Sequence, residues 1–164
     1  MAKRLLIALG SVLTLVAALF IHTLPAHADT GFRVSDGRLV DAAGNDFVIR
    51  GVSHPHAWYT HRTGAFADIK SLGANTVRVV LSSGDRWQEN DVGDVADIVS
   101  ECKANRLICM LEVHDTTGYG EESEAVSLDR AVDYWLRVRD ALEGEEDHIL
   151  VNIGNEPYGN DASV

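Results

Sequence analysis

The stretch "TVRVVLSSGDRWQ", Thr76 to Gln88, decides how the chain is read. Six residues rich in β-branched and apolar side chains run without a break except for Arg78, and a segment of hydroxyls, charges and a tryptophan follows. A short apolar run bounded by polar residues reads as a strand covered on both faces. Alternate strand residues face opposite sides, so Arg78 shares a face with Thr76 and Val80, while Val77, Val79 and Leu81 take the other. An arginine in the middle of such a strand is costly to bury unless a carboxylate pairs with it.

Three more runs of this kind occur, Phe47 to Val52, Leu107 to Val113 and Ile149 to Ile153. Helical patterns separate them. "GAFADIKSLG" spaces Phe66, Ile69 and Leu72 along one face and ends at Gly73, a C-cap candidate. "DVGDVADIVSECKAN" puts Val92, Val95, Ala96 and Val99 on one stripe. "SLDRAVDYWLRVRDALEG" opens on Ser127 as a cap candidate, offers Leu128, Ala131, Trp135, Val138 and Leu142 for burial, and stops at Gly144. Ahead of them "FRVSDGRLV", Phe32 to Val40, reads as a hairpin turning at Asp36-Gly37. The order β-α-β-α-β-α-β predicts an α/β fold with a parallel sheet. Two architectures fit it, an open doubly wound sheet or part of a (β/α)8 barrel. No glycine-rich phosphate loop follows the first strand, which counts against a dinucleotide fold. A complete barrel takes roughly 250 residues.

Residues 1–28 read as a signal peptide: Lys3 and Arg4, an apolar run from Leu5 to Ile21, and Ala26-His27-Ala28 as a cleavage site. The expectation is a secreted, extracellular protein with no membrane association after cleavage, and one domain over residues 29–164. The leader carries two cations and no anions, so 14 basic against 25 acidic residues becomes 12 against 25, a net charge of −13. That charge argues against nucleic acid and anionic membranes as partners and would not repel a neutral polysaccharide. Cys102 and Cys109 are the two cysteines; on the third strand Cys109 faces the helix layer, where Cys102 can meet it as a disulfide or as a packed thiol pair.

The segments after the strands, "SHPHAWY", "SSGDRWQ", "HDTTGYG" and "NEPYGN", are rich in groups that bind or catalyse. In a parallel barrel they converge at one end of the sheet. Glu112 and His114 share one parity and are expected inside. Pro157 is expected to hold Glu156 in an extended backbone at the strand tip, where apolar surroundings would raise its pKa for acid/base work.

"NIGNEPYGN", "ANTVRVVLSSG", "LEVHDTTGYG" and "GVSHPHAWY", in these positions, resemble glycoside hydrolase family 5, nearest to its secreted bacterial endo-1,4-β-mannanases. The resemblance runs from about Gly31 to Asn160 and implies a (β/α)8 TIM barrel, here truncated after about the fourth strand and preceded by the β-hairpin. It implies that Glu156 is the acid/base, that Asn155 contacts the sugar 2-hydroxyl, that Arg78 orients the nucleophile and that His114 lines the catalytic subsite. His54, His56, Trp58 and Trp87 are implied to line the cleft for substrate, Trp58 more than Trp87 as a stacking platform. The implied substrate is mannan, galactomannan or glucomannan, with no cofactor or metal and a monomeric full-length enzyme. Retaining glycosidases use two carboxylates; the family's nucleophile follows its seventh strand, so this chain is expected to be an amino-terminal half, inactive alone. A β-1,4-glucanase of the same family is the near alternative. A metal-dependent amidohydrolase barrel, suggested by His54-x-His56, is the distant one.

Overall fold

A computed structural model describes residues 31–160. The signal-peptide reading of residues 1–28 lies outside the described residues.

The chain opens with a two-stranded antiparallel hairpin, β1 Arg33–Ser35 and β2 Arg38–Val40. Asp36 and Gly37 turn it with φ of 50° and 74°, the positive values that the Asp-Gly pair accommodates. The expected first strand, Phe47 to Val52, is displaced. Phe47 N–H donates to Leu39 O and its ring packs on Phe32 at 4.9 Å, so the start of that run belongs to the hairpin. The parallel sheet begins only at β3, Gly51–His54. It continues through β4 Thr76–Leu81, β5 Ile108–Val113 and β6 Ile149–Asn152, paired in the order β3-β4-β5-β6. Helices α1 Gly64–Ser71, α2 Val92–Ala104 and α3 Leu128–Arg137 fill the crossovers. This is a four-strand arc of a (β/α)8 barrel with an amino-terminal β-hairpin.

The core lies between the sheet and the helices. Val77, Val79 and Leu81 of β4, with Cys109, Leu111 and Val113 of β5, are fully buried against Phe66 of α1, Val95 and Cys102 of α2, and Ala131 and Tyr134 of α3. The parity read from the sequence therefore holds in the two central strands. Cys102 and Cys109 form a disulfide, tying the last turn of α2 to β5. Asp91 caps α2 by accepting from Asp94 N–H, and Gly73 leaves α1 with φ of 89°.

Burial on both faces fails at the outer strands. Val52 is 56% exposed on β3 and Val151 44% exposed on β6, because each lies at a sheet edge with no described element packed over it. Leu72 is 87% exposed for the same reason: it follows the end of α1, beside the β3 edge. On α2 the buried stripe is Val95, Ile98, Val99 and Cys102, rotated from the expected one, with Val92 and Ala96 exposed. The third helix breaks at Val138 into a short 3-10 turn, Arg139–Ala141, and Tyr134 takes the central buried place expected for Trp135. Ser127 stands at its N-cap without a side-chain capping bond.

Candidate active site

The segments following β3, β4, β5 and β6 gather at one end of the sheet. Gly31, at the hairpin's entry, bonds Asp147 in the segment that leads into β6, so the hairpin docks at the opposite end.

Three strands contribute to one inward face. Arg78 of β4 donates from Nη2 to Asn155 Oδ1 at 2.7 Å. The same Nη2 lies 3.3 Å from Glu112 Oε2, an ion pair outside hydrogen-bond geometry, and that carboxylate is fully buried. Glu112 Oε1 is 3.0 Å from His114 Nδ1. An ionised carboxylate only accepts, so Nδ1 carries the proton and Nε2 is the ring nitrogen left for a ligand. Glu112 thus ties Arg78 and His114 together from beneath.

The loop after β5 cradles the Asn155-Glu156 step. Asn155 N–H donates to Val113 O, continuing the sheet, and Asn155 Nδ2 donates to Thr117 Oγ1 at 2.8 Å. Thr117 Oγ1 in turn donates to His114 O at 2.8 Å, while Thr116 Oγ1 donates to Asn155 O at 2.6 Å. With its Oδ1 on Arg78 and its Nδ2 on Thr117, the Asn155 amide has one orientation. Thr116, Thr117 and Gly118 fall in the polar segment "HDTTGYG" after the third strand, but nothing in the sequence assigns them the individual role of holding Asn155 and Glu156.

Glu156 departs from expectation twice. Its φ is 40°, in the left-handed region, despite the following proline. A tight turn supplies the reason: Glu156 O accepts from both Gly159 N–H and Gly118 N–H at 3.2 Å. Holding a non-glycine residue there costs on the order of 1–3 kcal/mol, and such strain collects at functional sites. The residue is also exposed, since no described element covers that side of the strand tip. It lines an open cavity of ≈ 380 Å³ with Gly118, Pro157, Tyr158, Gly159 and Asn160.

Trp58, Trp87 and His114 form an aromatic group. Trp58 meets Trp87 edge to face at 5.0 Å and His114 at 5.5 Å, and Trp87 lies 5.8 Å from His114. The Arg86 guanidinium covers Trp87 at 4.6 Å. Trp58 keeps 42% of its surface exposed. His54 and His56, expected on the cleft wall, are buried instead. His54 pairs in register with Val79 and so faces the helix layer, packing on Phe66 at 5.2 Å. Burial, then the neighbouring His56, holds its imidazole below the ordinary range. His56 donates from Nε2 to Asp94 of α2 at 3.0 Å, fastening the loop that carries Trp58.

Residues 40–164 match the profile of Cellulase (glycosyl hydrolase family 5). The chain belongs to glycosyl hydrolase family 5. Among its relatives in that family are the mannan endo-1,4-beta-mannosidases of Streptomyces lividans, 56% identical over 79% of this chain, and of Cellvibrio japonicus, 52% identical over 92%. This chain spans 34% and 36% of their respective lengths. The mannotriose complex of Thermomonospora fusca β-mannanase superposes with a TM-score of 0.80 at 66% identity, covering 82% of this chain and 45% of that one. Family 5 membership sets aside the amidohydrolase reading of His54 and His56.

Proposed function

We propose that the protein belongs to an endo-acting hydrolysis of β-1,4-mannan by a retaining two-glutamate mechanism, with Glu156 as the acid/base. The observation that carries this reading is the Asn155 amide held at both ends, by Arg78 and by Thr117, immediately before Glu156. An amide locked in one orientation beside a carboxylate at a strand tip suits recognition of a sugar hydroxyl next to the bond being cleaved. Glu156 protonates the glycosidic oxygen as the bond breaks and then takes a proton from the incoming water. The second carboxylate must stand about 5–5.5 Å away. Glu112 does not serve, being buried and committed to Arg78 and His114; in this reading the chain supplies the acid/base, and its lack of turnover alone is an expected outcome of the test below. The mannosidases of Streptomyces and Cellvibrio and the mannotriose-bound relative support mannan over glucan. Export is part of the reading, supported by the leader pattern and by a disulfide suited to an oxidising compartment.

The test is galactomannan hydrolysis by the full-length protein and its Glu156→Gln variant. The variant should lose roughly 10²–10⁴ in kcat, and less on an aryl mannoside whose leaving group departs without protonation. A chain ending at Val164 should show no turnover. Equal loss on both substrates, or turnover by the short chain that Glu156→Gln preserves, would overturn the assignment.

A further inference from the structure

We propose that Asp115 is a positioning residue that sets Trp87, and through Trp87 the exposed Trp58 ring, for stacking on a sugar. The proposal rests on the oligosaccharide reading above and concerns a residue one place beyond His114. Because neighbouring residues at a strand exit point to opposite sides, His114 meets the cleft while Asp115 turns into the loop that follows β4.

There the carboxylate is fully buried. Oδ1 accepts from Ser82 Oγ at 3.0 Å and from Arg86 N–H at 2.9 Å, and Oδ2 accepts from Ser83 N–H at 3.1 Å. Ser83 Oγ lies 3.0 Å from Oδ1 and 3.1 Å from Asp85 Oδ2, with one proton to share between them. The loop from Ser82 to Arg86 is therefore wrapped around one anion, a nest of backbone and hydroxyl donors. Charge-assisted bonds of this kind are the strong ones, and here water does not compete for them.

Trp87 directly follows the Arg86 N–H that the carboxylate holds. Its ring bears on both Trp58 and His114, so a shift at residue 86 moves the support of the platform. The far end of the loop is pinned separately: Asn90 exchanges bonds with Ser82 and accepts from the Tyr134 hydroxyl. Asp115 is thus the group that holds the backbone N–H of Arg86 next to the tryptophan, while Arg137 grips Ser83 O and the Arg86 side chain donates to Thr117 O from outside the nest. A pyranose presents apolar C–H faces, so its binding depends on the ring plane that it meets.

The experiment uses the full-length protein with Asp115→Asn, Trp87→Ala and the double variant. Two readouts are taken: the circular-dichroism couplet of the Trp58–Trp87 pair, and mannohexaose affinity by tryptophan fluorescence. Asp115→Asn places an amide N–H₂ against donors; it should weaken the couplet and lower affinity about tenfold. In the Trp87→Ala background the same substitution should cost almost nothing further, the non-additivity expected of residues acting through one another. Additive losses, or an unchanged couplet and affinity in Asp115→Asn, would overturn the proposal. If Asp115→Asn does not fold, Ser83→Ala removes one donor and should shift both readouts in the same direction; no shift overturns it. Should the unmodified protein fail to bind mannohexaose, the functional reading falls, while the couplet still decides the positioning role.

Discussion

Arg78 and Asn155, 77 residues apart in the chain, meet through a 2.7 Å hydrogen bond from Nη2 to Oδ1, directly above the buried carboxylate of Glu112. The contact spans β4, β5 and the tip of β6, so the stability of the sheet and the orientation of the site depend on the same guanidinium.

Removing that guanidinium exposes the cost. Arg78→Ala leaves Glu112 buried with only His114 beside it, and unfolding free energy should fall by about 3 kcal/mol, the low end for a broken buried pair because the Arg78 side chain is partly exposed. A urea titration that finds less than about 1 kcal/mol would show that the pair behaves as a surface one.

The buried imidazole of His54 makes a pH prediction. Burial holds it below its ordinary 6.5, so the fold keeps it neutral while the unfolded chain takes up a proton. Stability from this group is complete above pH 6.5 and falls as pH drops from there through the folded-state value. His54→Phe keeps a ring against Phe66 and removes a buried Nε2 that has no hydrogen-bond partner. Its urea midpoints at about pH 7.5 and about pH 5 should lie closer together than those of the unmodified protein. Equal spacing would mean that other groups govern the acid side.

The Cys102–Cys109 bridge closes a separation of seven residues. Chain-entropy reasoning gives such a short loop about 2 kcal/mol. The double variant Cys102→Ala, Cys109→Ala and the reduced protein should show similar drops in thermal midpoint. A drop under reduction that is absent in the double variant would locate the effect in thiol chemistry rather than the cross-link.

Gly51 is required by contact. A Cβ there would lie 1.9 Å from Thr76 O, the carbonyl across the β3–β4 pair. Gly51→Ala must push β3 off the sheet and should cost on the order of 3 kcal/mol, seen as faster amide exchange in β3. Protection equal to the unmodified protein would show that the edge strand yields without detaching.

Much of this architecture was legible in the letters. The hairpin, the alternating elements and the shared face of Arg78, Glu112 and His114 follow from local rules: turn chemistry at Asp36-Gly37 and a side-chain period of two. The misreadings lie where a distant partner outweighs local preference. Phe47 looks like the start of a barrel strand until Phe32 claims its ring. His54 and His56 look like cleft residues by position, yet Phe66 and Asp94 hold them under the surface.

The sequence by itself determined which residues point inward along the two central strands, β4 and β5, because alternation across a pleat needs no knowledge of neighbours. Only the tertiary structure decided that Glu156 adopts a left-handed backbone, that Asn155 is oriented from two sides and that Asp115 anchors the loop bearing Trp87. Each of those outcomes involves a hydrogen bond between segments that are neighbours in space and remote along the chain, joined at Glu156 by the local bond from Gly159 N–H, and no local preference encodes the remote bonds.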